Sequence, residues 1–209
     1  MKYWYSTILS ISLILGFAGN LYGQSWDFVK VEDGIKLYTR KELNSAVKAY
    51  KGEVVFMANI DKVNLLVGDA NNTDWWTKDF SKVKVLDFKK NTSILYYIVF
   101  NVPGPLVNRD LVLDEQISFD PLTGARIVTE KPISNLVPER PDMVRIKKYW
   151  QKWTVQPLGN GFVKIILEGY VDPNGNVPSW LSNMVITDTP LKVLQSLRER
   201  ATSHKPLVN

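Results

Sequence analysis

The stretch 178–201, PSWLSNMVITDTPLKVLQSLRERA, decides how the rest of the chain is read. Leu181, Met184, Leu191, Leu194 and Leu197 recur at helical spacing, and Arg198 and Arg200 fall in the last turns, where cations complement the helix dipole. The spacing predicts one long amphipathic helix closing the chain, with Met184 and Leu191 inward. A flexible methionine suits an adaptable wall. Asp188, one turn from each, reads either as an inward polar contact or as an exposed helix carboxylate.

Upstream the period changes from helical to two. In Lys48–Met57 the residues Tyr50, Gly52, Val54 and Phe56 share one face and Lys51 and Glu53 the other, the alternation of a half-buried antiparallel strand. Ile35–Arg40 is its hairpin partner, entered through the turn Asp33-Gly34, and Trp26–Val31 reads as a short amphipathic turn. Asp61 is placed to cap a helix through Val63, Leu65, Leu66 and Val67. Trp75-Trp76 then opens a run of strand candidates: Val83–Phe88, Ile94–Phe100, Leu111–Phe119, Ala125–Glu130, Met143–Val155 and Phe162–Val171. Turn residues such as Asp120-Pro121-Leu122-Thr123-Gly124 and Gly159-Asn160-Gly161 separate them. The Pro-rich stretch Pro132–Pro141 is a long loop within one sheet pattern. An antiparallel meander followed by one helix is an α+β plan, a curved sheet wrapped around a long C-terminal helix.

Composition narrows what such a fold does. With 209 residues, 45% apolar and 22% charged, the chain builds one sizeable core. The net charge of +5 is dispersed, with no basic run interleaved with aromatics, so no nucleic-acid partner is expected. There is no cysteine, which excludes disulfides, thiolate metal sites and a cysteine nucleophile. The single histidine, His204, sits in a polar tail that holds no base in place, and no phosphate-cradling glycine loop is present. No catalytic residue, cofactor or metal ligand is assigned.

The N-terminus carries an address. Lys2 precedes an apolar run from Ile8 to Phe17, followed by Ala18, Gly19, Asn20 and Gly23, the order of a secretory signal peptide. The run is short of the roughly 20 residues that span a bilayer. The expected organisation is a signal peptide, 1–23, and one domain, 24–209, periplasmic or secreted and monomeric.

Across that domain an ordered set of residues stands out: Trp26; Asp33-Gly34-Ile35 and Arg40; Tyr50-Lys51-Gly52; Asp74-Trp75; Pro105 before Asn108-Arg109-Asp110; Val144-Arg145; Trp153, Val155 and Pro157; Val171-Asp172-Pro173, Gly175, Pro178 and Trp180-Leu181. The set resembles the StAR-related lipid-transfer (START) domain family over nearly the whole of 24–209. The resemblance implies a helix-grip fold enclosing an elongated apolar tunnel for one lipid or other hydrophobic small molecule, bound and passed on through a transient membrane contact. It also implies a gate at the loop before the Arg-Asp pair, here Val102, Pro105, Leu106 and Val107. The chain departs from the eukaryotic pattern in being exported and in having little room for an N-terminal helix, so the ligand class is not carried over.

Parity then sorts the candidate ligand contacts. Arg109 shares its strand face with Leu111 and Leu113 and is a candidate polar anchor for a carboxylate, phosphate or carbonyl, or else a structural ion pair with Asp110. Glu115 has the same parity, but an intervening bulge turns it outward, and it is read as exposed. Tyr96 or Tyr97 supplies a hydroxyl; Tyr97 is carried as the candidate. Trp153 and Leu167 are wall or core by alternation. The alternatives to a binding module are a helix-grip cyclase or hydrolase acting on a hydrophobic aromatic substrate, and an interaction module whose cavity its own side chains fill.

Overall fold

The computed structural model describes residues 25–77, 80–102, 106–184 and 186–207; the expected signal peptide lies outside them. The strands are β1 (Asp27–Glu32), β2 (Ile35–Lys41), β3 (Lys48–Met57), β4 (Lys82–Lys89), β5 (Ser93–Phe100), β6 (Arg109–Phe119), β7 (Arg126–Pro132), β8 (Val144–Arg145), β9 (Lys148–Gly159) and β10 (Phe162–Asp172). Nine of them pair antiparallel in the order β1-β2-β3-β10-β9-β7-β6-β5-β4, an unclosed sheet in which β10 returns to lie beside β3. The hairpin turns follow from their residues: Asp33-Gly34 and Asn160-Gly161 hold positive φ at both central positions, the geometry that matches the twist of the strands they join.

Several local expectations change. Trp26–Val31 is an edge strand rather than a turn: every residue of β1 is exposed, so its amphipathic look reflects no buried face, and backbone pairing to β2 holds it. Met143–Val155 is two strands, because β8 pairs parallel with the start of β6 before the chain turns into β9. Trp75-Trp76, ahead of the run of strands, lie in a short helix, α2 (Asp74–Thr77). The preceding helix, α1 (Ile60–Leu66), is capped by the Asn59 side chain, which accepts from the Asp61 and Lys62 amides at 2.8 and 3.2 Å; Asp61 itself sits in the first turn.

The C-terminal helix is broken in two, α3 (Ser179–Met184) and α4 (Asp188–Thr202). Pro190 explains the restart. A proline lacks the amide that a continuous helix would need there, but loses nothing in the first turn of α4. The register aligns a row of residues across six strands, Ile117, Val128, Trp153, Leu167, Gly52 and Leu37, and α4 packs on its β10, β3 and β2 end. Gly52 permits the close approach, since a Cβ there would stand 2.6 Å from Leu194 Cδ1 and 3.1 Å from Pro190 Cβ. Leu194 and Leu197 are wholly buried on this row.

The opposite face of the sheet is closed by the 133–143 loop over Tyr97, Val99 and Val112. Arg145 pins that loop: its guanidinium holds Asp110 through two bonds of 2.7 and 2.8 Å and donates to the Val137 carbonyl at 3.1 Å. Paired and hydrogen-bonded on every side, this buried ion pair avoids the cost of isolated charge.

Candidate functional site

Two residues along each strand from the helix-covered row, the register aligns a second one: Ile94, Glu115, Glu130, Gln151, Gly169 and Tyr50. A period of two keeps both rows on the same face of the sheet. This second row is polar and hydrogen-bonded. Gly169 carries no side chain, so the Tyr50 ring lies across it and donates its hydroxyl to Gln151 Oε1 at 2.9 Å. Gln151 donates in turn to Glu130 at 3.0 Å, and the Tyr149 hydroxyl donates to the other Glu130 oxygen at 2.5 Å.

Above this band lies a pocket of about 490 Å³. Its floor is the polar row with Tyr96, Ile98, Leu111 and Leu113; one side is the α1–α2 segment, through Leu66 to Asp69, Trp75 and Trp76; and α4 closes the rim with Thr189, Lys192, Val193 and Ser196. The tryptophans are fixed in place. Trp75 donates its indole N–H to the Leu66 carbonyl at 3.0 Å and meets Trp153 edge to face, and Trp76 stands edge to face on Tyr96.

Glu115 and Glu130 stand opposite each other on β6 and β7 and are 6% and 8% exposed. Burial, then the neighbouring Glu130, pushes the Glu115 carboxyl well above the usual carboxylate range, against an opposing pull from Arg126. Glu130 is raised by burial too, moderated by the donors it accepts from. Glu115 Oε1 is buried with no hydrogen-bond partner. Arg126 is close by but donates to the Gly68 carbonyl at 3.0 Å and to Asn91 at 3.4 Å; its Nε is buried without a partner, and no ion pair to Glu115 within 4.0 Å forms among the described residues.

The residues singled out in the sequence divide between several places. Leu111, Leu113 and Trp153 line the pocket. Arg109 does not, although it is 3% exposed: at the first position of β6 its guanidinium donates to the backbone carbonyls of Val107, Pro173 and Asn174, and so ties two loops together. Tyr97 points to the opposite face, where its hydroxyl donates to Asp110; Tyr96 is the tyrosine on the pocket side. Leu167 is core beneath α4, Leu191 is a buried residue of α4 itself, and Asp188 is half-buried at the start of α4, all three outside the lining. Met184 ends α3 and its side chain lies outside the described atoms. In the expected gate, Pro105 lies outside the described residues, while Val102 and Leu106 are half-buried and Val107 is exposed, none of the three lining the pocket.

Glu115 is the clearest correction. No bulge interrupts β6 between Arg109 and Glu115, so its parity holds and it faces inward. The same alternation, continued from Trp153 back to Gln151 and Tyr149, and from Val128 on to Glu130, marks the rest of the polar band. The aromatic wall from α2 carried no comparable signal, because its tryptophans lie outside every strand candidate and no alternation places them.

Comparison with known proteins agrees with this architecture. The chain is 28% identical over 196 residues to an uncharacterized protein of Pseudomonas aeruginosa, covering 93% of this chain and 95% of that one. It is 24% identical over 191 residues to the phosphatidylcholine transfer protein of Bos taurus, covering 88% of each. Among solved structures, the STAR-related lipid transfer protein of Xanthomonas axonopodis superimposes with a TM-score of 0.76 at 29% identity, covering 85% of this chain and 99% of that one. Residues 21–206 match the START domain, and the chain belongs to that family.

Proposed function

We propose that the protein binds one lipid or other hydrophobic small molecule in the pocket between the sheet, the α1–α2 segment and α4, and passes it on. The observation that carries this reading is the pocket itself: about 490 Å³ of unfilled space walled by Trp75, Trp76, Trp153, Leu111 and Leu113, within a START fold. Volumes of roughly 300–1,000 Å³ with mainly apolar walls suit a single ligand buried over most of its surface. The relatives named for lipid or phosphatidylcholine transfer support the same class of cargo. The apolar walls hold the body of the ligand, and the polar band of Glu115, Glu130 and Gln151 meets its head. We further propose that the apolar run Ile8–Phe17 exports the chain, which then acts as a monomer outside the cytoplasm and contacts membranes transiently.

The test is native mass spectrometry of protein purified from its own host, followed by organic extraction. A single hydrophobic adduct, released by solvent and taken up again by the emptied protein, is expected. Protein that carries no adduct and takes up no hydrophobic probe would place the pocket among filled or closed cavities and end this reading. N-terminal sequencing of the same material should begin near Gln24.

A further inference from the structure

We propose that the pocket selects an amphiphile whose head is a protonated amine, seated between Glu115 and Glu130; this deepens the hydrophobic-ligand reading above and rests on it. Three observations carry it. The two carboxyls face each other across adjacent strands, both more than nine-tenths buried and both lining the pocket. Glu130 has a donor at each oxygen, whereas Glu115 Oε1 has none, and a buried acceptor without a donor is an expense folds rarely keep unless something else supplies one. The third is the placement of cations. Arg126 is turned to Gly68 and Asn91, and Lys192, on the exposed side of α4, is the one cation among the described lining residues. A carboxylate or phosphate head would meet two carboxyls, with Arg126 behind the lining and held by Gly68 and Asn91. An ammonium meets two acceptors in a pocket walled by Trp75, Trp76, Tyr96 and Trp153, residues whose ring faces attract positive charge.

The proton balance follows. Glu130 accepts from two donors, whereas burial and the neighbouring Glu130 raise Glu115, so the empty pair keeps its proton on Glu115. When the ammonium enters, that proton leaves to solvent and two ammonium N–H groups donate to the two carboxylates. The other groups facing the pair are Arg126, Asp69, Tyr50, Tyr96 and Tyr149, with Lys192 at the rim. Burial raises all three phenols, so they keep their protons through the neutral range, and Asp69 accepts from the Asn71 amide at 2.8 Å.

The experiment is calorimetric titration of the folded protein at neutral pH with dodecylamine, dodecanol and dodecanoic acid below their aggregation limits, in two buffers of different ionisation enthalpy. Dodecylamine should bind about ten-fold tighter than dodecanol, with the acid weakest and about one proton released per amine bound. Glu115→Gln, and separately Glu130→Gln, should abolish the advantage of the amine over dodecanol and the proton release. Acid binding equal to amine binding, or an amine advantage that survives both substitutions, overturns the inference. If dodecanol binds and the amine gains nothing, only the amine inference falls. If a normally melting protein binds none of the three, the hydrophobic-ligand reading falls and takes this one with it.

Discussion

Two rows of residues on the same face of the same strands, two positions apart, do opposite work. Ile117, Val128, Trp153, Leu167, Gly52 and Leu37 form an apolar floor, and α4 lies on its Leu167, Gly52 and Leu37 end so closely that Gly52 admits no side chain. Their neighbours Glu115, Glu130, Gln151 and Tyr50 form a polar floor with no helix on it and open space above. The first row is closely packed where α4 lies on it, and of its members only Trp153 reaches the pocket. The second keeps volume and an unmatched acceptor. A sheet divides stability from recognition in this way because a shift of two residues changes what lies above a side chain without changing the face it points from.

The comparison breaks most readily at two leucines that are equally buried. Leu194→Ala removes a wholly buried side chain from between α4 and Gly52, where the surroundings collapse poorly, and should cost about 4–5 kcal/mol. Leu113→Ala, at the wall of an existing pocket, should cost about 2 kcal/mol, close to the transfer of its methyl and methylene groups alone. Denaturant unfolding of both variants decides it. Equal losses would mean that the pocket wall is as tightly packed as the ground beneath α4.

Arg109 sharpens the boundary of the second row. It has the parity of a pocket residue, yet it bonds only to backbone carbonyls of two loops. Arg109→Leu should therefore cost about 1.5–3 kcal/mol in stability and leave the order of affinities among amine, alcohol and acid probes unchanged. A variant that melts like wild type but loses its preference among heads would move Arg109 into the binding site.

How much of this was legible in the sequence depended on what fixes each feature. The strand pattern of Lys48–Met57 came through residue by residue, because alternation against a single core leaves a direct mark. The start of α4 did not, because Pro190 looks alike inside a helix and in its first turn until the break is seen. Parity alone brought Glu115, Leu111 and Leu113 to one face, and the error over Glu115 came from supposing a bulge. Tyr97 and Arg109 failed for a different reason: their partners, Asp110 with its Arg145, and the carbonyls at 107, 173 and 174, come from distant chain positions that no local period reports. The α2 tryptophans belong to the pocket through tertiary packing on Trp153 and Tyr96, which spacing does not encode.

The finest test lies in the pH dependence of stability. Glu115 is raised well above its ordinary value of 4.5, first by burial and then by Glu130, so the folded chain holds this proton more tightly than the unfolded one. Its contribution to stability is then complete below the unfolded pKa and is lost as pH rises through the folded value. Glu115→Gln keeps the shape of the side chain and removes the ionisation. Wild type and variant should melt together in acid and separate as pH rises, the variant ahead by about 1–2 kcal/mol above neutrality, the scale of one buried acceptor without a donor. Thermal melts of both proteins across the range give the two curves. Parallel curves would mean that Glu115 is ionised and matched by Arg126 in the fold. The polar row would then be a satisfied ion pair, and its difference from the apolar row one of composition rather than of unmet hydrogen bonding.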